Sequence, residues 1–142
     1  MTKPETLPVA PVQSFDAGIA RQIGHYSDAV RVPAGYDHLI VSGTPGLAPD
    51  GTLPADMTRQ ATRAWRNIEM ILHEAGAALA DIVAVRQWLT SSDDIADYVA
   101  VRSSFLTHKP AFMLAVIPAL VRPGFLVEVE VTAAVPQKDP RP

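Results

Sequence analysis

The run Val127-Glu128-Val129-Glu130-Val131 sets two carboxylates two residues apart among valines. Successive side chains of a strand point to opposite faces, so Glu128 and Glu130 share one face and the valines take the other. A carboxylate held in a partly apolar cleft can orient water as a general base. Glu128 is the candidate for that chemistry, set against the plainer reading of a wet sheet face; Glu130 is assigned to structure. His25-Tyr26 forms a second candidate group. A phenol offers an apolar wall and one hydroxyl, although a packed core tyrosine has the same signature. A histidine beside it could serve as an acid or base, but an exposed histidine at a strand start is the simpler account of His25.

Other chemistries find little support. There is no cysteine, which excludes disulfides, thiolate nucleophiles and Cys-ligated zinc. His25, His38, His73 and His108 lack metal-ligand spacing, and no metal site is expected. Asp93-Asp94 reads as a helix start. No G-x-S-x-G elbow, P-loop or G-x-G-x-x-G occurs. The net charge is −3 and the cationic residues are scattered, which argues against nucleic acid as a partner. No run reaches the roughly 20 apolar residues needed to span a bilayer. The opening MTKPETLPVAPVQSF has no apolar core of a signal peptide, so a cytoplasmic location is the default expectation.

The elements that must position these groups fit one domain of 142 residues. Pro4, Pro8 and Pro11 make 1–13 an extended arm, 14–135 the domain, and 136–142 a polar tail. Strands are expected over 29–32 and 38–42, joined by a turn at 33–36. A helix follows over 54–75, its apolar stripe formed by Met57, Ala61, Ala64, Ile68, Ile71 and Ala75. Gly76 stops it. A strand over 82–90 leads to a second helix, capped by Ser91 or Ser92 and ended by Pro110. Tyr98, Val101 or Arg102, and Phe105 mark its inner side. Strands over 111–117 and 125–134 close the chain, with a further small strand admitted in the arm. Trp65 and Trp88 are assigned to helix–sheet packing. Two helices cover one sheet face, so the other face calls for a second copy of the chain.

Several motifs carry a resemblance. Gly24-His25-Tyr26-Ser27-Asp28-Ala29 resembles the G-P-Y-S-x-A of the Rid (YjgF-like) family, with His25 replacing proline. Val41-Ser42-Gly43 resembles its V-S-G. The helix from Gln60 to Gly76, with Asn67-Ile68, Leu72 and Ala75-Gly76-Ala77, resembles its glutamine-led N-I-x-x-x-L-x-x-A-G-A helix. Asp81-Ile82-Val83 and Trp88-Leu89-Thr90 fit the next strand. Lys109-Pro110-Ala111, an apolar run, a Pro-Gly turn and Val127-Glu128-Val129-Glu130 resemble the family's C-terminal hairpin. The order and spacing of these motifs over 23–134 carry the resemblance, since none is specific alone.

The resemblance implies an α+β, chorismate-mutase-like fold: a mixed sheet of about six strands, two helices on one face, and a homotrimer with clefts lined by two subunits. It implies hydrolysis of small imines or enamines without a cofactor. In members that deaminate, a glutamate matching Glu128 handles water, a tyrosine matching Tyr26 lines the pocket, and a backbone N–H near the pair matching Ser42-Gly43 assists. An arginine follows the Pro-Ala pair and grips the substrate's carboxylate. Here that position is Phe112, followed by Met113 and Leu114. Phenylalanine donates no hydrogen bond, whereas arginine binds carboxylate in a planar fork. One reading is a deaminase-type hydrolase remade for a more apolar or non-carboxylate substrate. The alternative is a non-catalytic trimeric metabolite-binding or regulatory protein using the same clefts. Arg122, Lys109 and Arg86 are the candidates for a replacement cation.

Overall fold

The computed structural model describes residues 8–138. Expectations for 1–7 of the arm and 139–142 of the tail lie outside the described residues. In chain order the elements are β1 (Gln13–Phe15), β2 (Ala29–Arg31), β3 (Tyr36–Pro45), α1 (Met57–Glu74), β4 (Ile82–Leu89), α2 (Ile95–Phe105), β5 (Ala111–Val116) and β6 (Val127–Pro136). The six strands divide between two sheets. A four-stranded sheet has the order β3-β6-β4-β5, and β1 pairs with β2 in a separate antiparallel ribbon. One parallel bridge, Ser27 to Ala111, ties the ribbon segment to β5.

The resemblance suggested a hairpin of the last two strands, and the structure corrects this. β5 lies parallel to β4, as a strand returning through a helix does, while β6 inserts antiparallel between β3 and β4. Segment 117–126 carries the chain past β4 to make this insertion. β6 is therefore the centre of the sheet. Its alternation puts Val127, Val129, Val131 and Ala133 into the core and leaves Glu128 and Glu130 on the other, uncovered face.

Both helices pack on the valine face. α1 begins at Met57, three residues later than the sequence suggests, because the Asp56 carboxylate accepts the Arg59 amide at 2.9 Å and caps it. Its buried arc is Met57, Ala61, Ala64, Trp65, Ile68 and Leu72. Ile71 and Ala75 leave the expected stripe and face outward. At about 100° per residue the sheet-facing arc passes through Leu72, one position round from Ile71. Gly76, at φ +80°, ends the helix as expected.

Two buried amides on α1 fasten loops. Gln60 donates to the Pro54 and Gly124 carbonyls at 2.8 and 2.7 Å and accepts from the Leu126 amide at 2.9 Å. Asn67 donates to the Pro45 and Leu47 carbonyls. Gly46 must be glycine, since a Cβ there would collide with the Gln60 backbone. Ser91 accepts the Asp93 amide and opens one 3-10 turn, Ser92–Asp94, that runs into α2. Trp65 is fully buried and stacks on Phe105 across the helix pair at 6.2 Å, while Trp88 is half-buried on β4.

Candidate functional site

The chain before β2 is laid against β5 by one serine. Buried Ser27 donates its amide to the Pro110 carbonyl at 3.0 Å and its hydroxyl to the Lys109 carbonyl at 2.6 Å. That seam sets the Tyr26 ring on the Phe112 ring, with centroids 5.3 Å apart and planes 27° apart. A cavity of about 540 Å³ opens there, bounded also by His25, Val99, Arg102 and Met113. That volume falls in the range of small-molecule sites, roughly 300–1,000 Å³. Its rim, Ile23-Gly24-His25, follows a tight turn organised by Asp28. The Asp28 carboxylate accepts the amides of Ala17, Ala20 and Ile19 at 2.6, 2.8 and 3.4 Å. Those bonds, Ala17's first, hold its pKa below the usual aspartate value.

A second group forms on the uncovered sheet face. The β3–β6 register shifts between Val41 and Thr44, so Ser42 and Gly43 sit in a bulge without ladder partners. Glu128 lies over that bulge. A Cβ at position 43 would strike its carboxylate, so glycine is what lets the acid approach the strand. Trp88 stands opposite Glu128 on β4. Next along the face, Arg86 pairs with Glu130 at 3.4 Å.

One protomer does not bring the two groups together. Phe112 aligns with buried Val85 and packs toward the helices, whereas Glu128 aligns with Trp88 on the other side. Tyr26 and Phe112 form one group, and Ser42, Gly43 and Glu128 the other; Met113 borders the first cavity, yet it aligns with exposed Arg86 and its side chain belongs to the opposite face. Arg122 stands outside both, exposed, 5.9 Å from the Phe125 ring centroid. Lys109 is exposed and Arg86 is engaged with Glu130.

The cation beside Phe112 is one that sequence reasoning did not propose. Arg102 of α2 is 6% exposed, and its guanidinium lies 4.3 Å from the Phe112 ring centroid. Its Nη1 donates to Gln87 Oε1 at 2.9 Å, and the Tyr98 hydroxyl donates to the same oxygen. Gln87 Nε2 in turn donates to the Met113 carbonyl at 3.0 Å. Burial pushes the Tyr98 phenol far above its usual pKa and pulls Arg102 down, though an arginine stays charged. A signal was available: Gln87 stands between Val85 and Leu89 on the inward face of β4, and a buried amide demands partners. Tyr98 and Arg102, one helical turn apart, supply them.

The family model described as Endoribonuclease L-PSP matches residues 19–135. The chain belongs to this family, the Rid (YjgF-like) proteins. A RutC family protein of Pyrococcus abyssi is 30% identical over 121 residues, covering 84% of this chain and 93% of that one. RidA of an Antarctic Psychrobacter species superimposes with a TM-score of 0.67 at 29% identity, over 86% of this chain and 94% of the other. The Rid-family protein YyfB of Yersinia pestis gives a TM-score of 0.77 over 87% and 98% of the two chains. At 23% identity that likeness speaks for the fold. Rid membership and the mixed α+β fold thus stand together. Among the described residues no helix is long and apolar enough to cross a membrane.

Proposed function

We propose that this Rid protein is a small-molecule hydrolase of the imine or enamine deaminase type, acting in clefts between the subunits of a homotrimer. The observation that carries the reading is the approach of Glu128 to the Ser42-Gly43 bulge. There a carboxylate stands beside two residues that the strand register leaves without an opposite partner. An iminium carbon is already electrophilic, so the chemistry asks for a placed water and a proton acceptor. Water adds to the C=N carbon and its proton passes to Glu128. The nitrogen is protonated, the C–N bond of the carbinolamine breaks, and ammonia leaves with a carbonyl product. Donors at the bulge hold the oxygen as charge develops on it.

The trimer reading is supported by the division of the candidate residues. Glu128 and Gly43 lie on one face of the sheet, Tyr26 and Phe112 on the other. The uncovered face also carries Ile40, 80% exposed. A neighbouring subunit laid over that face would cover Ile40 and bring its own Tyr26-Phe112 pair toward Glu128. Phe112 gives the cavity an apolar wall suited to the body of a small substrate. The net charge of −3 favours such a metabolite over RNA, despite the family's descriptive name.

The test is ammonia release from freshly generated imines by wild type and Glu128→Ala. Turnover by wild type with about a 10²–10⁴-fold loss in the variant is expected for a general base. Equal rates in the two proteins would remove Glu128 from the chemistry. No turnover of any imine by wild type would leave the same clefts to ligand binding alone.

A further inference from the structure

Arg102 is a buried cation without an anionic partner. No carboxylate lies within ion-pair distance of it among the described residues, and its one side-chain hydrogen bond goes to a neutral amide oxygen. An uncompensated buried charge is costly, so sites that retain one generally meet an opposite charge from outside the chain. A guanidinium has five N–H donors in a plane. One is spent on Gln87. The central carbon of the group lies over the Phe112 ring, and the other donors have no hydrogen-bond partner among the described residues. Two adjoining cavities reach it. One is the space of about 540 Å³ shared with Tyr26 and Phe112, the other about 260 Å³ bounded by His25, Ser103, Thr107 and Phe112.

The fork is also held in advance. Gln87 Oε1 takes both the Arg102 and the Tyr98 donors, and Gln87 is itself fixed by the Met113 carbonyl. Little rotamer freedom remains to be lost when an anion arrives, which favours binding. Apart from His25, Tyr26 and Ser103, the side chains walling the larger cavity are mainly apolar, among them Ile23, Ile95, Val99, Leu114 and Phe112.

We propose that Arg102, projecting from α2 onto the face of Phe112, binds the carboxylate of a monoanionic substrate whose apolar body lies against Tyr26 and Phe112. The positive charge that the resemblance places on the strand is here supplied by the helix. This sets aside the expectation of a non-carboxylate substrate drawn from position 112 and keeps that of an apolar wall. A single guanidinium matches one negative charge, which favours carboxylate over phosphate. The inference rests on the proposed deaminase reading only for the reaction; binding of the anion is independent of turnover.

The experiment is therefore a binding measurement on the full chain. 4-Methyl-2-oxopentanoate, its uncharged amide and inorganic phosphate are titrated calorimetrically into wild type, Arg102→Met and Arg102→Lys. Wild type is expected to prefer the acid to the amide by at least tenfold. Arg102→Met loses that preference while still binding the amide, and Arg102→Lys keeps part of it. Acid binding unchanged in Arg102→Met overturns the proposal, as does a wild type that treats acid and amide alike. Phosphate that displaces the acid at equal concentration overturns the commitment to carboxylate. If Arg102→Met does not fold, a wild-type crystal soaked with the acid decides: a carboxylate on Arg102 supports the proposal, and one on any other cation overturns it. Carboxylate binding without imine turnover would remove the deaminase reading and leave Arg102 in place.

Discussion

Gln87 shows how one side chain governs a site it does not enter. Its amide is fully buried, and it joins β4, β5 and α2 through Met113, Tyr98 and Arg102. Replacing it with leucine keeps the volume but strips Tyr98 and Arg102 of their acceptor. A loss of roughly 1–3 kcal/mol is expected for buried donors left unmade. Urea denaturation of Gln87→Leu measures it, and a variant as stable as wild type would show that Arg102 finds another partner. Gln87, at an inward register position of a predicted strand, was legible as a residue that needs partners. Which residues provide them was not, because Tyr98 and Arg102 reach it only once α2 packs across the sheet. Phe112 was legible as an apolar residue at the start of a strand, but the cation over its ring comes from a helix residue ten positions earlier.

At the level of elements, the cavity rim depends on a turn. Asp28 gathers three amides from the segment ahead of Ile23-Gly24-His25. Its folded pKa is lowered, so its contribution is complete above the unfolded value of 3.8 and is lost as pH falls through the lower folded value. Asp28→Asn is expected to melt at a lower temperature than wild type near neutral pH, with the gap closing in acid as the wild-type carboxyl protonates. A gap that widens in acid would contradict this account. The helices and strands were mostly legible, since 3.6-residue and 2-residue periodicities are local. What misled was the pairing of the last two strands. Adjacent strands of opposite direction suggest a hairpin, yet the crossover through α2 binds β5 parallel to β4 and sends β6 into the sheet centre. Ile71 misled for a related reason, as only the packed sheet decides which edge of an apolar stripe it covers.

For the whole molecule, the uncovered sheet face is decisive. Ile40 stands 80% exposed on it, near the bulge that carries Gly43. Ile40→Glu is expected to convert the proposed trimer to monomer in sedimentation equilibrium with unchanged far-UV circular dichroism, because a charge on a covered face must be desolvated. A variant that still sediments as a trimer would place the interface elsewhere.

The sequence by itself determined the family, the element order, and the alternation that separates Glu128 from its flanking valines. All of these are properties of neighbouring residues or of fixed spacings along the chain. Tertiary structure alone decided that Glu128 and Phe112 face opposite sides of the sheet, that Gly43 admits Glu128, and that Arg102 lies over the Phe112 ring. These depend on the order of strands and the seat of α2, which arise from long-range pairing and burial that no local pattern encodes.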